Sequence, residues 1–256
     1  MDREHWNKVS KNYDGLKWVH DGDLLKWCAV NTMKLCPVHG RVLEIGCGTG
    51  ALTKAMLPHA PEGTKFVASD ISRGMLDQAR EHASDPRVEF RVQGDPIGWH
   101  TLGGDFDVVV ARMVLHNLTV GSTFIIRSWL QLLKPGGWLV VIEGPPPVAG
   151  PHPSTDLYRA AMALKEPGRK TFHAHNVSQW MIDEGCEEVQ VNETFSHGNS
   201  LENWLVAAVL DDQLKIAIRN LHYGTHSAWE AYQMHATDDE DLLMRWRHCI
   251  VAGRKQ

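Results

Sequence analysis

The sequence has no CxxC pair, no HExxH helix and no apolar stretch long enough to span a bilayer. Its five cysteines, Cys28, Cys36, Cys47, Cys186 and Cys249, are scattered and odd in number. That excludes a disulfide framework or a zinc knuckle and fits a reducing compartment. Long basic runs are missing too. Lys and Arg total 26 against 31 Asp and Glu, a formal charge of -5, which argues against a phosphate backbone as partner. The opening MDREHWNKVSKNYDG is charged and carries no apolar core of a signal peptide. Internal repeats and low-complexity tracts are absent. Fifteen histidines and ten tryptophans stand out in number, but no ligand spacing organises them, so no metal is expected. These absences predict a cytoplasmic protein with no nucleic-acid partner and no membrane span. They leave its oligomeric state open.

What is present is an alternation. Segments rich in β-branched residues lie at 41–47, 65–71, 88–94, 106–114 and 137–144. Between them ALTKAML, GMLDQAREHA and STFIIRSWLQLLK place apolar residues three and four apart, the helical period. Strand and helix in alternation predict a parallel sheet covered on both faces. Pro135, Gly136 and Gly137 are expected to end a helix and turn the chain into the fifth strand. After PPPVAGPHP the strand signal weakens until 187–195. The pattern is then helical from Ser200 to His235 and closes on a strand at 242–255. With 43% hydrophobic residues in 256, one domain is expected, with a helical lid over 1–40, a nucleoside-binding core over 41–145, and a completed sheet bearing substrate-cap helices over 146–256.

RVLEIGCGTG, residues 41–50, puts three glycines directly behind the first strand. Glycines there let the backbone turn sharply and bring amide groups close to a ligand. Asp70, at the end of the second strand, stands where a carboxylate would grip a ribose diol; a helix cap is its structural alternative. Glu44 separates the ligands such a loop could take. Its charge disfavours a pyrophosphate and favours a nucleoside that carries ammonium and sulfonium groups. Asp95, after the third strand, could accept from an adenine amino group or simply open an Asp-Pro turn.

The ordered run VLEIGCGTG, ASDIS with Met75 behind it, QGDP, FDVVVARMVLHNL and LLKPGGWLVVIE resembles the motifs of class I SAM-dependent methyltransferases over residues 38–145. Within that family it most resembles the ubiquinone, menaquinone and small heteroaromatic branch. The resemblance implies a Rossmann-like doubly wound α/β sheet of seven strands, mostly parallel with an antiparallel last strand, plus helical cap insertions. It implies S-adenosyl-L-methionine as cofactor, with Gly46, Cys47, Gly48 and Gly50 along the methionine part and Glu44 beside them. Asp70 would sit on the ribose, Ile71 and Met75 on the two faces of adenine, and Gly94, Asp95 and Pro96 at its edge. Tyr13 would close over the methionine end.

Methyl transfer from a sulfonium is an in-line displacement, so alignment matters most and a base helps only an acceptor with a proton to lose. Arg112 and His116 follow the fourth strand on the ligand-binding edge of the sheet. Arg112 is placed with the cofactor residues, and His116 is the expected base and an acceptor contact. Glu143, Glu166, Arg169 and His173 are the further candidates for a small flat acceptor, and the cap aromatics Phe172, Trp180, Trp204, Trp229, Tyr232 and Trp246 could stack on it. Two other readings stay open: a nicotinamide-dependent oxidoreductase, and a SAM-binding module without turnover.

Overall fold

The computed structural model describes residues 3–94, 96–118, 121–144, 160–161, 163–164, 174–208, 210–226, 229–230, 233–239 and 241–256. Asp95, Glu166, Arg169 and His173 lie outside them, as do Phe172 and Tyr232 of the cap aromatics. No helix among the described residues is long and apolar enough to cross a membrane.

The strands are β1 Arg41–Ile45, β2 Lys65–Asp70, β3 Val88–Val92, β4 Phe106–Arg112, β5 Leu133–Glu143, β6 Cys186–Ser200, β7 His235–Ala236 and β8 Leu242–Lys255. The helices are α1 Arg3–Tyr13, α2 Gly22–Met33, α3 Ala51–Met56, α4 Arg73–His82, α5 Ser122–Gln131, α6 Ala174–Asp183, α7 Leu201–Ala207 and α8 Asp212–Gly224. They surround a sheet of order β3-β2-β1-β4-β5-β8-β6, with β7 paired to β8. From β3 to β5 all pairs are parallel. β8 runs antiparallel to its neighbours β5, β6 and β7.

Local chemistry explains the main elements. Val108–Ala111 is buried on both faces, the continuous apolar run of a central parallel strand. Asp21, Ser72, Ser200 and Asp211 cap α2, α4, α7 and α8 by accepting an amide from the first turn. Apolar residues on one face of the sheet pack with the N-terminal helices and with Leu201, Met244 and Trp246. Those on the other face pack with α5 and α6.

Three expectations need correcting. β5 starts at Leu133, so Pro135, Gly136 and Gly137 lie inside the strand. A bulge between the pairs of Phe106 and Val108, with Gly136 at φ +78°, absorbs the proline and glycines. β6 extends from Cys186 to Ser200, well past 187–195. The helical stretch ends before His235, where β7 adds an eighth strand to the seven expected. A strand of two residues has no periodicity to read.

Candidate functional site

The sheet winds one way from β1 to β3 and the other from β4, so a crevice opens between the carboxyl ends of β1 and β4. The glycine loop fills its floor. Gly46 and Gly48 stand at φ +69° and +56°, where an L side chain is strained. A β-carbon on Gly46 would collide with Val114, whereas one on Gly48 would meet only the Tyr13 ring, at 3.6 Å. The loop therefore packs at its first glycine and opens into the crevice at its second.

The cleft, about 500 Å³ including its open mouth, is lined by Tyr13, Gly46, Gly48, Asp70, Ile71, Met75, Gly94 and Arg112. Asp70 ties it together. Its Oδ2 accepts from the Gly48 amide at 2.9 Å and its Oδ1 from the Ser72 amide at 2.8 Å. Burial pushes its pKa up, opposed by these backbone bonds. Each oxygen keeps a second lone pair for a hydroxyl. Close approach of Gly94 to Ile71 narrows the far end, since a β-carbon on Gly94 would stand 2.8 Å from the Ile71 Cβ.

Helix α1 and the residue after it pack on this floor through polar contacts. Asn7 Oδ1 accepts from the Ser72 hydroxyl at 2.6 Å, the Gln78 amide donates to the Ser10 carbonyl at 2.9 Å, and Asp14 accepts from the Thr49 hydroxyl at 2.6 Å. Tyr13 ends the helix edge-on to Trp6 and Trp18, and burial pushes its phenol up to about 12. Arg112 closes the wall: its guanidinium lies 5.1 Å from the Trp18 ring centroid and donates to the Trp18 carbonyl at 2.9 Å.

Glu44, Cys47 and Gly50 lie next to this cleft lining rather than in it. Glu44 is 2% exposed and lies outside the cleft lining, with its carboxylate accepting from the Thr53 hydroxyl at 2.5 Å. Strand alternation explains this, because Ile45 takes the cleft side and sends Glu44 beneath α3. Burial pushes the Glu44 carboxyl up to about 7. Cys47 turns its side chain away, into a cluster with Ala68 and Leu76. Gly50, at φ +83°, lets the α4 backbone approach: a β-carbon there would stand 3.1 Å from the Ala79 Cα. Pro96 opens a short 3-10 turn, Pro96–Leu102.

At the neighbouring strand ends the structure joins two residues that the sequence left separate. Glu143 Oε2 lies 2.5 Å from His116 Nδ1, and Glu143 Oε1 accepts from the Leu115 amide at 2.9 Å. Glu143 is buried, with one carboxylate oxygen on the imidazole and the other on the Leu115 amide. With Nδ1–H donated to the carboxylate, the ring's lone pair is on Nε2. The turn that carries His116 contributes cleft wall on either side of it, through Met113, Val114 and Asn117. Met113 stands at φ +58°, a strained position for a side chain of that size. The Asn117 side chain donates to the Met113 carbonyl at 3.0 Å.

Trp6, Ile45, Met113, Val114 and Asn117 line the cleft without having been singled out from sequence. The apolar ones follow the same periodicity as core residues. Only Asn117, inside ARMVLHNL, carried a polar signal that could have found it.

Residues 43–139 match the family described as "Methyltransferase domain". A demethylmenaquinone methyltransferase of Clavibacter sepedonicus is 32% identical over 232 residues, covering 87% of this chain and 89% of that one. The chain belongs to the class I SAM-dependent methyltransferases. Its cofactor is S-adenosyl-L-methionine, and membership sets aside the nicotinamide alternative. The chain is also similar to multidomain polyketide synthases, of which it spans 3% to 6% of the length. Among solved structures, the YcgJ protein of Bacillus subtilis superposes with TM-score 0.70 at 15% identity, covering 91% of this chain and 98% of that one. A Haemonchus contortus phosphoethanolamine N-methyltransferase in complex with S-adenosyl-L-methionine superposes at 0.60 and 16%, covering 96% and 57%. At such identities the likeness is one of fold.

Proposed function

We propose that this methyltransferase transfers its methyl group to an oxygen, nitrogen or ring carbon of a small flat aromatic or heteroaromatic acceptor. The observation that carries the reading is the His116–Glu143 pair, set beside the cleft wall at the carboxyl ends of β4 and β5. The demethylmenaquinone methyltransferase that aligns with most of this chain supports a quinone-type ring.

The cleft residues fit the cofactor. Ile71 and Met75 offer apolar surface to adenine, the Asp70 carboxylate offers lone pairs to the ribose hydroxyls, and the open Gly48 backbone gives the methionine part close approach. The bound cofactor supplies an electrophilic methyl on a positively charged sulfur. His116 Nε2 takes the proton of an oxygen or nitrogen acceptor, and Glu143 fixes the tautomer and stabilises the imidazolium that forms. Tyr13, Trp6 and Trp18 keep water out from the lid side.

Incubation with methyl-labelled S-adenosyl-L-methionine and a panel of quinols, phenols, benzimidazoles and simple amines tests the reading. Label is expected in one or more flat ring compounds. Label in aliphatic amines alone, or in none of the panel, would overturn it.

A further inference from the structure

β6 and β8 run past the last β5–β8 pair, Glu143 with Cys249, and continue as an arm to Ser200 and Leu243. The buried face of this arm carries Ser196, Asn199 and His248 in apolar company with Met244 and Trp246. The three polar side chains form one chain of hydrogen bonds. Asn199 Nδ2 donates to Ser196 Oγ at 3.0 Å and to the Met244 carbonyl at 3.3 Å, and Ser196 Oγ lies 2.8 Å from His248 Nε2.

The direction of the chain follows from its donors. An amide nitrogen can only donate, so Ser196 Oγ accepts from Asn199. The serine proton then goes to His248 Nε2, because the opposite arrangement would leave that proton buried without an acceptor. Burial and the nearby Arg112 charge push the imidazole down to about 3, so the ring is neutral and its single proton is on Nδ1. Among the described residues, Ser196 is the ring's hydrogen-bond partner.

Nδ1 sits at the tip of β5. A β-carbon built on Gly144 would stand 3.4 Å from His248 Nδ1 and 2.9 Å from the Met113 sulfur. The imidazole and the thioether thus both border the space that a side chain at 144 would take, and Met113 is cleft wall. An unbranched thioether side chain turns aside at little cost. His116 lies across β5 from this point. Its partner Glu143 pairs with Cys249 on one face of the sheet, while His248 alternates to the other.

We propose that His248 donates a hydrogen bond from Nδ1–H to an oxygen of the acceptor, with Met113 as the movable partition between ring and cleft. The inference rests on the aromatic-acceptor reading and deepens it: the acceptor is an oxygenated ring, a quinol or polyhydroxylated phenol, held on its second oxygen. An uncharged donor suits the place, because a cationic imidazole would repel both Arg112 and the sulfonium.

The test is labelled methyl transfer to hydroquinone and to phenol, which differ by one hydroxyl, measured for the full chain and three variants. Wild type is expected to favour hydroquinone in kcat/KM by about fivefold or more, the worth of one hydrogen bond. His248→Phe should shrink that preference to within about twofold, mainly through KM. His248→Asn, whose amide reaches the place of Nδ1, should restore most of it. Ser196→Ala, which frees the tautomer, should give an intermediate loss. Affinity for S-adenosyl-L-methionine reports whether each variant keeps its fold. A hydroquinone preference that persists in His248→Phe, or in Ser196→Ala should the first variant not fold, would overturn the inference alone. If wild type methylates neither ring, the inference is overturned, and the aromatic reading stands or falls separately on the wider panel of ring compounds.

Discussion

Asp70 holds the glycine loop, the start of α4 and, in the proposed reading, the ribose at once, because one carboxylate accepts from Gly48 and Ser72 and still faces the cleft. Asp70→Ala should raise the dissociation constant for S-adenosyl-L-methionine by at least about tenfold, the cost of a charge-assisted hydrogen bond. Titration calorimetry on the folded variant checks it, and unchanged affinity would leave Asp70 a loop staple only. Glu44 makes a different forecast. Its carboxyl, raised to about 7 by burial, is protonated more in the folded chain than in the unfolded one. Stability therefore falls as pH rises from the ordinary glutamate range, near 4.3, to about 7, and levels above it. Glu44→Gln should remove that slope, so the variant's melting temperature relative to wild type rises by a few degrees across this window. Parallel melting curves for the two proteins would refute this. At this scale the sequence was readable where geometry demands one residue type, as at Gly48 and Asp70. It was silent where a cleft wall uses ordinary apolar side chains, as at Ile45 and Val114. Glu44 could not be placed from sequence, because an acid near a ligand loop reads the same whether it faces the ligand or lies under the next helix.

The glycine loop and the two helices beside it show how one short motif divides its work. Gly48 opens to the cleft, while Gly50 makes room for Ala79 of α4. Gly48→Val is expected to abolish binding of S-adenosyl-L-methionine with the helical circular dichroism retained. Gly50→Val should instead lower the melting temperature by several degrees, since a side chain there meets both positive φ and the α4 backbone. Equal cofactor loss with equal thermal loss in both variants would contradict the division. Regular elements with full periodicity, such as β4 and α4, were legible. β5 was placed late because Pro135 and two glycines read as punctuation, and only pairing with β4 reveals the bulge that accommodates them. The arm of β6 and β8 was legible as strand and not as arm, because its overhang depends on where β5 stops.

For the molecule as a whole, alternation of strand and helix in the first half implied the doubly wound sheet, and the crevice between β1 and β4 follows from its winding. The acceptor side was less legible, because it draws on residues far apart in sequence: His116 meets Glu143 only through the pairing of β4 with β5. That pair is the centre of the account. The most direct measurement is the rate of methyl transfer from labelled S-adenosyl-L-methionine to one hydroxylated ring acceptor, by wild type and by His116→Ala, with cofactor affinity measured for both. With His116 as base, the variant loses about two orders of magnitude in kcat and keeps its cofactor affinity. A variant that keeps more than about half the wild-type rate would contradict it.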